Sequence, residues 1–158
     1  MTTSDWTANR DYVSPSLANR APGGGVVWLI GRVVLGGLFM LGGIQKLSGI
    51  DQFAASLAKN GIPVEIAPML AWLGAAVETI GGLCIVLGLA TSWASLVMIA
   101  FTIGAAFISH RFWEAAPAAR MMQMAHFEKN MMLAGAFCLL YVAGGGPYSI
   151  DRWRRFRG

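Results

Sequence analysis

The apolar segment WLGAAVETIGGLCIVLGL, residues 72–89, carries one ionisable side chain, that of Glu78. A carboxylate at the centre of a membrane costs about 2.5–3.5 kcal/mol on insertion scales, so such a group normally faces the interior of a helix bundle. Gly74 and Gly82 lie four residues to either side of Glu78 and share its helix face, where small residues let a second backbone approach. Glu78 is therefore predicted to point at a neighbouring helix.

Two basic residues in other apolar runs are candidate partners for this carboxylate. Helix rise places Glu78 about 15 Å and Lys129 about 7–8 Å below the outer end of their helices, and Arg32 about 9 Å from the inner edge. Both cations are long enough to close the gap, which predicts a buried Arg32–Glu78–Lys129 cluster with one excess positive charge. That charge would hold an anion or polarise a carbonyl ligand. The alternative is that the charges only fix helix register.

A second polar group is predicted at the outer interface. A quinone headgroup offers carbonyl acceptors and a flat ring, which would suit histidine and lysine donors between aromatic walls. The alternative is an ordinary interfacial belt of amphipathic rings. Two histidines without a fixed helical spacing are weak as metal ligands, so no metal site is predicted. The rim residues of this predicted quinone site are Lys46, His110, Trp113, His126 and Asn130.

The elements that must position these groups are membrane helices. The chain has 158 residues, of which 56% are hydrophobic and 13% charged, whereas soluble domains carry about 25% charged residues. The pattern predicts an all-α membrane protein, a four-transmembrane-helix bundle with short interfacial helices in the two outer loops. The spans are predicted at about 26–45, 68–89, 93–110 and 124–143, and the interfacial helices within 46–65 and 111–124. The fourth run has only thirteen uncharged residues, so a half-span that returns is the alternative.

Three regions follow from this pattern: a polar N-terminal tail (1–25), a four-helix membrane domain (26–147) and a basic C-terminal tail (148–158). The C-terminal arginines indicate contact with anionic lipid headgroups rather than a nucleic-acid surface. The positive-inside rule favours both termini in the cytoplasm, with six basic residues on that side against five on the other. The predicted location is a bacterial-type inner membrane.

Six segments occur in an order that resembles the DoxX family of small four-helix membrane proteins: GRVVLGGLFMLGGIQKL, KNGIP, AAVETIGGLCIVLGL, SHRFW, HFEKNMMLAGAF and GGGPYSIDRW. The resemblance covers residues 28–153. It implies relatives that include small subunits of quinone-linked oxidoreductases, such as thiosulfate:quinone oxidoreductase, and membrane parts of oxidative-stress complexes. A role in sulfur oxidation does not transfer, because no residue here specifies a sulfur substrate. The family's recurring polar positions match Arg32, Lys46, Glu78, His110, Asn130 and Asp151.

These observations favour an accessory subunit of a membrane electron-transfer complex, with quinone as the candidate ligand and no intrinsic cofactor. Larger membrane subunits would bind through the glycine-rich helix faces and the N-terminal tail. Independent catalysis is not predicted, because the sequence contains no recognisable electron carrier, metal motif or nucleophile–base pair. The alternatives are a stand-alone structural or assembly protein and, third, a small solute or proton transporter that uses Glu78 as a relay.

Overall fold

The computed structural model describes residues 23–155. The predicted N-terminal tail, and with it the predicted docking role of that tail, lies almost entirely outside the described residues. Within them the chain is helical and contains no strand, which confirms the predicted all-α class. The helices are α1 (Gly24–Ser48), α2 (Ile50–Lys59), α3 (Ala67–Leu87), α4 (Thr91–Ser109), α5 (Pro117–Ala143) and α6 (Ile150–Arg155).

Three of these helices, α1, α3 and α4, are long and apolar enough to cross a membrane, counted over the described residues. The short helix α2 lies in the first connecting loop, where an amphipathic helix was predicted, and it ends at Lys59, two residues before Gly61, which has a φ of +90°. The second loop differs from the prediction. No separate helix forms there, because Pro117 starts α5 and no glycine or proline interrupts the helical turns before Gly135.

Helix α5 therefore has 27 residues and begins seven residues earlier than expected. It runs antiparallel to α4 and touches both of its ends. At one end Ser92 Oγ donates to the carbonyl of Tyr141 at 3.0 Å, and at the other His110 Nδ1 lies 3.0 Å from Gln123 Oε1. The region 123–141 of α5 thus accompanies α4 along its whole length.

Helices α1 and α3 approach closely through small residues. A Cβ atom added to Gly36 would lie 2.6 Å from the carbonyl oxygen of Gly82, and one added to Gly82 would lie 2.5 Å from the amide nitrogen of Met40. The face of α3 that carries Ala71 and Ala75 is fully buried. The stripe of small residues predicted around Glu78 is therefore confirmed as a helix-packing surface.

The chain after α5 folds back onto the bundle end formed by the start of α1 and the α3–α4 turn. We call residues 144–155 the C-terminal clasp. Trp28 Nε1 donates to the Gly144 carbonyl at 3.1 Å, and Arg32 donates to the carbonyls of Gly145, at 3.0 Å, and Tyr148. The buried guanidinium of Arg32 thus holds the clasp by hydrogen bonds to two of the clasp's backbone carbonyls.

Asp151 provides the second attachment of the clasp. Its carboxylate accepts hydrogen bonds from the amides of Ala90 (2.7 Å) and Thr91 (2.8 Å) and from the Thr91 hydroxyl (2.7 Å). No side chain of the α3–α4 turn caps α4, whose N-cap position is Ala90. Asp151 therefore caps the helix from sixty residues away and places a negative charge where the helix dipole favours one.

We predict that Gly36→Ala destabilises the bundle and that Gly37→Ala does not. The methyl group at position 36 would strike the backbone of α3, whereas a Cβ at position 37 meets nothing within 4 Å. Overpacking of this kind costs about 1–3 kcal/mol. Thermal unfolding of both variants in the same detergent is the measurement, and equal melting temperatures for the two would contradict the described α1–α3 contact.

Candidate functional site

Glu78 is 7% exposed and forms an ion pair with Lys46 of α1. The lysine is only half-buried, with 34% of its side chain exposed, and its ammonium group lies 5.5 Å from the centre of the Phe53 ring. Glu78 thus lies against a cation of a neighbouring helix. The identity of the cation is different from the one predicted.

Neither Arg32 nor Lys129 forms an ion pair with Glu78 in the described part of the chain. Arg32 lies fourteen residues before Lys46 on α1, or about 21 Å along the helix axis, where the carbonyls of the C-terminal clasp bind it. Lys129 is exposed. The predicted three-residue cluster is therefore not assembled: Arg32 is bound at the bundle end that carries the C-terminal clasp, and Glu78 is bound by Lys46 near the middle of α3.

The direction of helical side chains explains why Lys46 reaches Glu78. Side chains lean towards the N-terminus of their own helix, so Lys46 extends back along α1 and Glu78 leans the opposite way on antiparallel α3. They meet beside Gly42. A Cβ at that position would lie 3.0 Å from Glu78 Oε1 and 4.0 Å from Lys46 Nζ. Depth estimates along the axis alone, which pointed to Arg32 and Lys129, omit this lean.

The two histidines of the predicted rim are brought together. The rings of His110, at the end of α4, and His126, on α5, stack with centroids 5.0 Å apart and planes 27° apart. The Nδ1 of His110 contacts the side-chain oxygen of Gln123. The rim histidines lie at the C-terminal end of α4, and Lys46 lies in the last turn of α1. The histidines and the Lys46–Glu78 pair therefore lie towards the same end of the bundle, and we call these groups together the outer polar site.

Burial and neighbouring cations set the protonation of His110. Desolvation lowers its pKa below the usual value, the hydrogen bond to Gln123 raises it, and the charges of His126, Lys129 and Lys46 lower it further. The net direction is downward, so the neutral imidazole is favoured. A neutral ring keeps one nitrogen as donor and one as acceptor, which allows it to bind either a carbonyl or a hydroxyl group.

An aromatic cluster borders the outer polar site. Trp113 packs against Phe107, Phe112 and Phe127 with ring centroids 5.1–6.0 Å apart. Phe127 follows His126 directly on α5, so the cluster and the stacked histidines share one helix. This arrangement fits the aromatic wall expected for the rim and equally fits an interfacial belt.

Deeper in the bundle lies a buried hydroxyl group, that of Thr102, which the sequence pattern did not identify as a candidate site residue. Thr102 on α4 is 1% exposed, and its hydroxyl has no hydrogen-bond partner among residues 23–155. Gly81 of α3 faces Met98 of α4, so one turn further out Thr102 lies at about the depth of Glu78. Asn130, another predicted rim residue, is half-buried on the neighbouring helix. A threonine in an apolar helix gives no sequence signal that its hydroxyl is unsatisfied.

The side chains that could ligate a metal ion are spread over the described part of the structure. No group of three or more His, Cys, Asp or Glu residues that could hold a metal ion occurs among the described residues. Cys84 is half-buried and Cys138 is exposed, and neither forms a disulfide.

The sequence of this chain is similar to that of a known family of membrane proteins. The DoxX family model matches residues 27–111, which run from α1 past the end of α4 and include Arg32, Lys46, Glu78 and His110. The chain belongs to the DoxX family. Inner membrane protein YphA of Escherichia coli K12 is 37% identical over 128 residues, or 80% of this chain and 89% of YphA. Inner membrane protein YqjF of the same organism is 35% identical over 92 residues, or 58% of this chain and 64% of YqjF.

No solved structure matches the chain. The protein is thus an integral membrane protein of the DoxX family. The family match ends before α5, so His126, Lys129 and Asn130 lie outside the part of the outer polar site that the DoxX model covers.

We predict that Lys46→Met destabilises this DoxX protein by about 3 kcal/mol, because it leaves the buried Glu78 carboxylate without its cation; this is the low end for a buried pair, since Lys46 itself is only half-buried. The double variant Lys46→Met, Glu78→Leu should recover part of that loss, since no unpaired charge remains. Lys59→Met, at an exposed position on α2, is the matched control. Thermal or denaturant unfolding in detergent measures all three, and a double variant less stable than Lys46→Met alone would contradict the pairing.

The His110 environment gives a pH prediction. Because the pKa in the folded protein is lowered, the stability that neutral His110 contributes is present above about pH 6.5 and is lost as the pH falls towards the lower pKa. Lys129→Gln should raise the pKa of His110, and Gln123→Leu should lower it further. Histidine NMR titration in detergent micelles checks both shifts, and the same direction of shift in the two variants would refute the assignment of causes.

Proposed function

We propose that this DoxX protein is a small accessory subunit of a membrane quinone-linked oxidoreductase and that its outer polar site binds the quinone headgroup. The supporting observation is the Lys46–Glu78 pair, in which a buried carboxylate holds a half-exposed ammonium group next to an aromatic ring. Glu78 uses one of the three lysine donors, so Lys46 can still donate to a ligand carbonyl.

The surrounding groups suit a flat ligand that carries oxygen at its edge. The lowered pKa of His110 favours its neutral imidazole, which offers one donor and one acceptor nitrogen, and the stacked His126 ring offers a flat surface. Deeper inside, the buried Thr102 hydroxyl has no partner in the described part of the chain and would be satisfied by water or by a ligand oxygen.

The chain's own chemistry in this role is binding and proton handling. A carbonyl oxygen that gains electron density would be stabilised by Lys46, and Glu78 would keep that ammonium charged and oriented. His110 could exchange a proton with a quinol hydroxyl because its favoured state is neutral. Electrons would come from a partner subunit, which makes the chain an accessory component.

We further propose that α5 is the fourth membrane span. It follows α4 from Gln123 to Tyr141, so a membrane crossed by α4 is crossed by α5 as well. Both chain ends would then lie on one side, which the positive-inside rule places in the cytoplasm. Labelling of single cysteines added at positions 3 and 158 in whole cells and in inverted vesicles tests this topology. Labelling of the two positions from opposite sides would refute it.

The ligand proposal is tested with purified full-length protein and decylubiquinone. Saturation at about one hundred times Kd should stabilise the folded state by about 2.7 kcal/mol, which is seen as a higher melting temperature. Lys46→Met should abolish the shift, and Lys59→Met should retain it. An alkylbenzene of equal chain length, which lacks carbonyl groups, serves as the apolar control.

Equal stabilisation by decylubiquinone and the alkylbenzene, or an undiminished shift in Lys46→Met, would refute a quinone-headgroup site. The subunit role is tested separately by pull-down in mild detergent followed by mass spectrometry. Recovery of a stoichiometric redox subunit by both the parent chain and Lys46→Met supports it. Recovery of the chain alone would argue for a stand-alone protein.

A further inference from the structure

A groove of about 470 Å³ opens between the inner end of α3 and the C-terminal clasp, at the bundle end opposite the outer polar site. Its apolar wall comes from Leu87, Pro147 and Ile150. Tyr148 and Trp153, which are 58% and 54% exposed, stand at its edge. Aromatic rings with one polar atom are the side chains that prefer the headgroup level of a membrane.

The shape of the groove is held by buried contacts. Arg32 donates to the carbonyl of Tyr148, and the amide of Asp151 donates to the Gly88 carbonyl at 2.9 Å. The Asp151 carboxylate in turn is bound to the start of α4. The groove is therefore formed before any ligand arrives, so that binding requires little ordering of the chain.

The residues of the C-terminal clasp carry a net positive charge. The C-terminal clasp contains three arginines, at 152, 154 and 155, and its one carboxylate is that of Asp151. That carboxylate already accepts three hydrogen bonds from the α4 terminus. Arg152 lines the groove itself, and Arg154 and Arg155 are exposed on the same short helix. An anionic group would be attracted to this end.

An apolar track leads away from the groove along the membrane-spanning part of α3. Ile80, Leu83 and Leu87 are 61%, 42% and 41% exposed, and their spacing of three and four residues puts them on one helix face. A ligand that follows this surface would have a negative head at Arg152 and a hydrocarbon chain along α3. That combination describes a membrane lipid and not a soluble anion.

We propose that this groove is a binding site for one anionic phospholipid, with its phosphate at Arg152 and an acyl chain along Ile80, Leu83 and Leu87. The inference is independent of the quinone proposal, because the two sites lie at opposite ends of the bundle. It goes beyond general attraction to a charged membrane, since it specifies a bound lipid that stays with the protein after extraction.

The test is native mass spectrometry of the full-length protein in detergent, incubated with phosphatidylglycerol or with phosphatidylcholine of identical chains. We expect phosphatidylglycerol adducts to persist under activation that removes phosphatidylcholine. Each arginine near the surface contributes about a fivefold preference for anionic lipid, so Arg152→Gln, Arg154→Gln together should weaken phosphatidylglycerol binding by about thirtyfold. Lys59→Gln, Arg120→Gln removes two exposed charges at the other end and should change binding less than about twofold.

A second variant distinguishes loss of charge from misfolding as the cause of weaker lipid binding. Arg152→Lys, Arg154→Lys keeps both charges and should retain most of the lipid, while circular dichroism verifies helix content in every variant. A phosphatidylglycerol with a photoreactive group near the headgroup should crosslink to residues 147–153. The proposal is overturned if the two lipids are retained equally, or if the two charge-removal pairs lose equal amounts of phosphatidylglycerol. It is also overturned if millimolar glycerol 3-phosphate competes with the lipid, or if crosslinks form only at the opposite end of the bundle.

Discussion

The close approach of the α1 and α3 backbones is the constraint on which the rest of the bundle depends. A methyl group on Gly36 or Gly82 would lie within about 2.6 Å of the opposing backbone, so only glycine permits this separation. The contact fixes how far one helix is displaced along the other. That displacement brings Lys46 beside Glu78, and it leaves Arg32 level with the α3–α4 turn, where the C-terminal clasp binds it.

The buried charges are consequently bound at separate places in the bundle. At the end that carries the C-terminal clasp, Arg32 donates to backbone carbonyls and Asp151 accepts from backbone amides, and of their side-chain nitrogen and oxygen atoms only Arg32 Nε has no partner among the described residues. Near the middle of α3, Glu78 binds the ammonium group of a half-exposed lysine. Separation of the charges avoids one central cluster, whose desolvation would be expensive in hydrocarbon.

The sequence predicts the helical class and the buried face of Glu78, because apolar runs and small-residue spacing are local properties. It also places Lys46 and the two histidines near one interface. It does not predict the pairing of Glu78, because that depends on the displacement between α1 and α3 and on side-chain lean. The sequence also does not predict the capping of α4 by Asp151, because the donor amides and the acceptor carboxylate are about sixty residues apart. The continuous α5 was missed because its charged and methionine-rich start resembles an interfacial segment.

The two ends differ in a way that bears on whether the Lys46–Glu78 pair only fixes helix register. Backbone contacts at Gly36 and Gly82 already hold α1 against α3, so the packing of these two helices does not rest on the charge pair alone. A purely structural pair would also be more stable as two apolar side chains. The exposed third of Lys46, the Thr102 hydroxyl without a partner among the described residues and the neutral state favoured at His110 instead leave hydrogen-bonding capacity unused in the half of the bundle that holds the outer polar site. Unused capacity of this kind in an apolar bundle favours a ligand over a structural lock.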